Sequence, residues 1–128
     1  MEKIEKKQDC LIKKIDLNTK DEKSLFIKDK AIDVLKRVDD PELGLDVYTL
    51  GLIYELKITN QKKNKNNYNV FIKMTFTTPL CPYGPMLMEL IESALKEEIK
   101  EINSVKIEIT FEPPWQPSEE LKTALGLN

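Results

Sequence analysis

The chain has 128 residues, of which 41% are hydrophobic and 33% are charged. This composition predicts one globular domain, because a chain of this length buries enough apolar surface to fold without disulfides or a structural metal. The formal net charge of -2 lacks the basic excess of a nucleic-acid-binding protein. The sequence has neither a membrane-spanning apolar run nor the apolar core of a signal peptide. We therefore expect a cytoplasmic protein that binds neither nucleic acid nor membrane.

The sequence contains no histidine. Histidine is the commonest general base near neutral pH and the commonest neutral metal ligand. Its absence excludes a Ser-His-Asp hydrolase, a Cys-His hydrolase and a histidine-based zinc protease built from this chain alone. The two cysteines are Cys10 and Cys81, and in a reducing compartment we expect both to be free thiols.

The N-terminal residues 1–23 carry charges of both signs with scattered apolar residues. This pattern favours a mobile extension that precedes a single domain over residues 24–128. Apolar residues then recur at helical spacing from Ser24 to about Asp39, and Pro41 ends the pattern. The first predicted element of the domain is therefore a helix.

The later elements are recognised by apolar residues at alternating or helical spacing. In chain order they are a strand over 52–58, a polar loop of lysine and asparagine over 60–67, a strand over 70–76, a helix over 87–100, a strand over 105–111 and a helix over 119–125. Ser118 is a good N-cap for the last helix, and Gly126 lies just beyond its end.

Each predicted strand is apolar on one face only. We therefore predict the α+β class: a two-layer sandwich, in the order helix-strand-strand-helix-strand-helix, with helices covering one face of a small mixed or antiparallel sheet. The opposite face is predicted to be polar or an interface. A right-handed crossover makes the third strand parallel to the second and places it either beside that strand or across the first one.

The proline-rich segment 77–85 joins the second strand to the second helix and contains Cys81. A helix N-terminus favours the thiolate form, which binds soft metals or attacks electrophiles. The hydroxyls of Thr77 and Thr78 are near enough in sequence to donate hydrogen bonds to the sulfur or to a ligand. The alternative is a buried, inert cysteine that acts as a small hydrophobic residue.

Two carboxylates, Asp40 and Glu42, flank Pro41 after the first helix. They are candidates for binding a metal, orienting a thiol or acting in acid-base catalysis. The alternative is that they are solvated acids at the end of a helix. Trp115 follows Pro113 and Pro114. It is either an exposed anchor for a partner or a plug over the core.

An iron-sulfur cluster usually takes four ligands from its protein, which Cys81 alone does not supply. A cluster bound here must therefore be shared with a second copy of the chain, a small thiol or a client protein. Such a site would hold the cluster weakly and is suited to handing it on. This favours a carrier or an adaptor over a stable electron-transfer protein.

Three motifs occur in order along the chain. They are Asp-Pro-Glu-x-Gly at 40–44, Leu-Gly-Leu-Ile-Tyr at 50–54, and Thr-Thr-Pro-x-Cys-Pro at 77–82 followed by Gly84 and Pro85. Together they resemble the SufT-like family of iron-sulfur cluster assembly accessory proteins, to which the PaaD proteins are related. The resemblance covers about residues 24–115.

The resemblance implies a small α+β domain, a homodimer and an accessory role in maturing iron-sulfur proteins. In that role the protein carries a labile cluster or brings the assembly machinery to apo-protein clients. It also implies that Cys81 is the functional thiol and a shared cluster ligand, supported by Asp40, Glu42 and Thr78.

Two other functions remain open on sequence grounds. One is a thiol or redox enzyme that reacts through Cys81, although neither a nearby resolving cysteine nor a histidine base is present. The other is a pure interaction module, in which Trp115 docks a partner and Cys81 is structural. The leading expectation is a protein that is not an enzyme.

Overall fold

The computed structural model describes residues 11–17, 22–41, 43–60, 68–77 and 82–126. In chain order, the elements are β1 (Lys14–Leu17), α1 (Glu22–Leu35), β2 (Ile53–Thr59), β3 (Tyr68–Met74), α2 (Gly84–Glu98), β4 (Ile102–Ile109) and α3 (Glu119–Leu125). The predicted α+β class is confirmed, and the three predicted strands and three predicted helices are all present. The described residues add one strand, β1, that the sequence did not predict.

The strands form a mixed sheet in the order β1-β2-β3-β4. Strands β2 and β3 are antiparallel, as expected for a hairpin, whereas β1 runs parallel to β2 and β4 runs parallel to β3. Of the two positions left open for the third predicted strand, the structure adopts the one beside β3. The sheet therefore has β1 at one edge and β4 at the other.

The core lies between one face of this sheet and the helices α1 and α2. Alternate residues of β2 and β3 are buried, because successive side chains of a strand point to opposite faces. The largest fully buried side chains are Ile27, Leu35, Leu50, Leu52, Ile53, Leu56, Ile58, Ile72, Met74, Leu87, Ile91 and Leu95. The opposite face is mostly polar and carries Glu55, Lys57, Asn69, Phe71, Lys73, Lys106 and Glu108. Burial of the apolar face is the main driving force for the fold.

Helix α1 ends at Leu35, about four residues before the predicted end. The cause is a tertiary contact, since Val47 donates a backbone hydrogen bond to the carbonyl of Val38 over 2.9 Å. This bond, and an isolated antiparallel bridge between Asp39 and Asp46, hold residues 38–40 in an extended path. The chain leaves the helix to pair with a later segment before Pro41 is reached.

Strand β1 comes from the segment that the sequence assigned to a mobile extension. Its four residues pair with β2, and Ile12 just before it is only 6% exposed in the core. The interpretation of residues 1–23 as an extension is therefore wrong for residues 11–17. A strand of four residues has too few alternating residues to be recognised in the sequence. Its stability comes from pairing with β2 rather than from its own residues. Residues 1–10, which include Cys10, lie outside the described residues.

Helix α3 has the caps that the sequence predicted. The hydroxyl of Ser118 accepts a hydrogen bond from the backbone N–H of Leu121 over 3.1 Å, and Gly126 adopts the left-handed conformation at the C-cap. Leu121 is buried against the core, so this helix adds to the same domain. No helix in the described part of the chain is long and apolar enough to cross a membrane.

An ion pair joins the C-terminal ends of α1 and α2. Two nitrogens of Arg37 donate to the two carboxylate oxygens of Glu98 over 3.0 and 3.2 Å. These hydrogen bonds and the charge of Arg37 lower the pKa of Glu98 below its usual value. The pair is exposed, so its contribution to stability is small and decreases with added salt.

We predict that Glu98→Gln removes part of the acid sensitivity of folding. Because the pKa of Glu98 is lower in the folded state, its stabilising contribution is present above the pKa of the unfolded state and is lost as the pH falls through the folded value. Urea unfolding between about pH 6 and pH 3 should show a smaller loss of stability in the variant than in the wild type. Glu97→Gln is the matched control and should follow the wild type. Parallel pH curves for Glu98→Gln and the wild type would contradict the prediction.

Candidate functional site

Three loops of the molecule converge at one end of the sheet, where β3 and β4 end and β2 begins. Met74, the last residue of β3, pairs with Ile53 at the start of β2 and with Ile109 at the end of β4. The chain that enters β2, the chain that leaves β3 and the chain that leaves β4 therefore lie side by side. Two of the motifs found in the sequence, at 50–54 and 77–82, fall on these loops.

The first motif, at 40–44, forms a tight turn. The backbone N–H of Asp40 donates to the carbonyl of Leu45, and the N–H of Gly44 donates to the carbonyl of Asp40, each over 2.8 Å. Gly44 has a φ of 74°, a left-handed conformation that favours glycine. Asp40 is completely buried, so the alternative of a solvated acid is wrong for this residue. Glu42 lies outside the described residues.

The second motif, at 50–54, is a turn that leads into β2. Leu50 and Leu52 are buried on either side of Gly51, which has a φ of 76°. The carbonyl of Leu52 accepts a hydrogen bond over 2.9 Å from the N–H of Thr75, just after β3. Because Thr75 is itself completely buried, this bond ties the turn firmly to the start of the thiol-bearing loop.

Trp115 is half-buried and joins the segment after β4 to the same turn. Its indole N–H donates to the carbonyl of Leu50 over 2.6 Å, and its ring packs against the core. The hydroxyl of Tyr54 donates to the carbonyl of Pro113 over 2.8 Å. Burial raises the pKa of Tyr54, so this phenol remains a protonated donor throughout the neutral range.

A cleft of about 430 Å³ lies beside Trp115 and Tyr54. Its lining combines the segment before β1, the turn before β2, residues 113–116 after β4, and α3. The lining residues are Leu11, Lys13, Thr49, Gly51, Tyr54, Pro113, Pro114, Trp115, Gln116, Ser118, Glu120 and Leu121. Lys13 lies 4.2 Å above the ring centre of Tyr54, in a cation-π contact between two residues that line the cleft.

The loop that leaves β3 approaches α2 very closely. Gly84, the first residue of α2, is buried, and a Cβ at this position would lie 2.8 Å from the ring of Phe76. The ring of Phe76 also contacts that of Phe111, with their centroids 6.4 Å apart. Thr77 is half-buried at the start of the loop, and Pro82 is exposed where the loop reaches the helix.

Of the predicted site residues, Asp40, Thr77 and Trp115 are described. Thr77 and Trp115 come from loops at the same end of the sheet, while Asp40 lies in the turn that precedes the second motif. Glu42, Thr78 and Cys81 lie outside the described residues, so the roles assigned to them stay predictions.

Sequence reasoning missed the two hydrogen bonds that hold residues 113–115 after β4, and the contact between Gly84 and Phe76. Tyr54 and Gly84 were noted only as members of the motifs. A buried tyrosine or tryptophan usually has a hydrogen-bond partner, which was the available signal for Tyr54 and Trp115. The identity of each partner depends on the tertiary structure alone.

The family model described as "Iron-sulfur cluster assembly protein" matches residues 28–109. The chain belongs to this family. The family resemblance seen in the three motifs is therefore confirmed.

Two curated relatives and one solved structure agree with membership of the iron-sulfur cluster assembly protein family. The Fe-S protein maturation auxiliary factor YitW of Bacillus subtilis is 31% identical, over 79% of this chain and 95% of its own length. The auxiliary factor SufT of Staphylococcus aureus is 34% identical, over 71% of this chain and 99% of its own length. A crystal structure of a DUF59 domain from Bacillus anthracis has a TM-score of 0.67 and 30% identity, and covers 81% of this chain and 95% of that chain.

The contact between Gly84 and Phe76 leads to a stability prediction. We expect Gly84→Ala to lower the free energy of unfolding by about 1–3 kcal/mol, because the new methyl group overlaps the Phe76 ring. Chemical denaturation measures the loss. In the double variant with Phe76→Leu, which lacks the clashing ring atoms, the cost of Gly84→Ala should be smaller. An equal cost in both backgrounds would contradict the assignment of the strain to this contact.

The hydrogen bonds of Trp115 and Tyr54 lead to a second stability prediction. Trp115→Phe keeps an aromatic ring but removes the donor to Leu50, and should cost about 1–2 kcal/mol of stability. Tyr54→Phe removes the donor to Pro113 and is the matched variant. Because both donors hold one segment, the two losses should be less than additive in a double-mutant cycle measured by urea unfolding. Full additivity would show that the two bonds act independently.

Proposed function

We propose that this protein is a non-enzymatic accessory factor of iron-sulfur cluster assembly in the cytoplasm. It carries a labile cluster, or brings the assembly machinery to apo-proteins, through the loop that contains Cys81. The observation that carries the proposal is the family match over residues 28–109. The names of the relatives, which are maturation auxiliary factors, support an accessory role.

The cluster is proposed as cargo, and the donor groups of the chain support this. Within the described ranges, no three Asp, Glu, Cys or His side chains gather closely enough to hold a metal ion. Cys81 is one soft ligand, and a cluster usually takes four. The remaining ligands would therefore come from outside the chain, which makes a bound cluster exchangeable.

Helix α2 begins three residues after Cys81 and exposes an apolar stripe beside the loop. The side chains of Tyr83, Met86 and Leu90 are between 42% and 47% exposed. Their spacing of three and four residues places them along one face of the helix. A client or assembly protein that contacts this stripe would have its acceptor thiols next to the cargo. This arrangement supports transfer by direct contact.

The proposed supporting residues are Asp40, Glu42, Thr77 and Thr78. Asp40 is buried in a turn whose backbone is fixed by two hydrogen bonds, so its contribution to the site is positional. Thr77 and Thr78 begin the loop and are proposed to donate hydrogen bonds to the sulfur or the cargo. Trp115 is proposed as the partner contact that borders the cleft. The active form is proposed to be a homodimer.

We predict that Cys81→Ala abolishes cluster binding and delivery. Anaerobic reconstitution with iron and sulfide should give the wild type a labile cluster, seen by absorbance and by bound iron per chain, and the variant none. The wild type should then activate an apo iron-sulfur enzyme, and the variant should not. Cys10→Ala is the matched control, since it removes the only other cysteine, and it should behave like the wild type.

Three outcomes separate the proposed function from its alternatives. Activation that needs Cys81 without a bound cluster would assign the adaptor form of the role. Rapid alkylation of Cys81 that iron does not slow would favour a thiol enzyme. Full activation by Cys81→Ala would contradict the proposed role of the thiol and leave an interaction module.

A further inference from the structure

Strand β4 forms an edge of the sheet with an open side. In the part of the chain that the structure describes, β4 pairs with β3 on one side and with no strand on the other. An open edge presents a row of backbone donors and acceptors that can pair with another strand. At eight residues, β4 is the longest strand described and therefore offers a long template.

The hydrogen bonds of the backbone show which residues face outward. The N–H of Thr110 donates to the carbonyl of Met74 in β3, over 2.9 Å. Because the direction of backbone groups alternates along a strand, Lys106 and Glu108 also direct their N–H groups to β3. Val105, Ile107 and Ile109 therefore direct their N–H and C=O groups to the open edge.

The two charged residues of β4 are arranged to complement a second copy of the same strand. Lys106 and Glu108 lie on the polar face of the sheet, on either side of Ile107. In an antiparallel pair centred on Ile107, each Lys106 is directly opposite the partner's Glu108, and the two Ile107 residues exchange backbone hydrogen bonds. Opposite charges at such positions stabilise a strand pair, and like charges destabilise it.

Neighbouring registers lack this complementarity. An antiparallel pair centred on Lys106 places two lysines opposite each other, and a pair centred on Glu108 places two glutamates opposite each other. Charged residues on an edge strand usually prevent pairing of any kind. Here they oppose these two registers and favour the one centred on Ile107.

The apolar face of the same edge borders a groove. The groove has a volume of about 610 Å³ and lies between β4 and α2, with Pro85, Met88, Glu89 and Glu92 on the helix side and Val105, Lys106 and Ile107 on the strand side. Val105 and Ile107 are only half-buried, although they belong to the core face of the sheet. A second copy paired along β4 would cover them with the same residues of its own strand.

We infer that this protein forms a homodimer by antiparallel pairing of its β4 edges, with the two-fold axis at Ile107 and an eight-stranded sheet continuous across both copies. The inference rests on the homodimer of the proposed function but not on cluster binding. The interface is argued from residues of β4 and α2 and not from Cys81, so pairing and cargo transfer are tested by different variants.

The test is a charge swap read by sedimentation velocity and native mass spectrometry, with reductant present to prevent disulfide dimers. The wild type should give a dimer of twice 14.8 kDa. Lys106→Glu places glutamates opposite each other, and Glu108→Lys places lysines opposite each other. Each single variant should raise the dissociation constant at least about tenfold. An equimolar mixture of the two should form a heterodimer, and the double variant should dimerise like the wild type.

The side chains of Lys106 and Glu108 point to solvent, so circular dichroism should show that all variants fold. A wild type that stays monomeric would overturn the inference, as would single variants that dimerise like the wild type. Single variants that are monomeric but do not recover on mixing would also overturn it, because the register would then be wrong. If the swap behaves as expected while Cys81→Ala still activates the apo-enzyme, the inferred dimer stands and the proposed function fails.

Discussion

The structure depends on the pairing of β3 with strands on both sides. At Met74 this pairing brings the start of β2 and the end of β4 to the same point. The parallel partner β4 requires α2 as a crossover connection, and α2 in turn covers the core face of the sheet. The loop that carries the thiol is therefore held at both ends, by the central strand and by the helix that packs on it.

The glycines of the family motifs have structural explanations. Gly44 and Gly51 adopt left-handed backbone conformations, and Gly84 allows the helix to approach an aromatic ring. Motifs that resemble a set of reactive residues in the sequence are thus in part requirements of the backbone at one end of the sheet. Of the motif residues that carry reactive groups, Asp40 is buried and hydrogen-bonded through its backbone.

Three surfaces of the molecule differ in physical character. The apolar stripe on α2 is exposed beside the thiol loop, the cleft next to Trp115 is lined by aromatic, proline and polar residues, and the outer edge of β4 offers backbone groups. A factor that hands cargo between proteins needs contacts that form and break without disturbing its core. Surfaces built on strands and helices that are already folded meet this need, because docking does not have to order them first.

The sequence by itself determined the fold class, the order of the main elements, the α3 caps and the family. Periodic burial of apolar residues and cap chemistry are local properties, so they are readable without a structure. The tertiary structure alone decided the existence of β1, the early end of α1, the position of β4 beside β3, the burial of Asp40 and the partners of Tyr54 and Trp115. Each of these depends on a hydrogen bond or a contact with a residue outside the element itself, such as that of Trp115 with Leu50. Spacing along the sequence carries no record of such contacts.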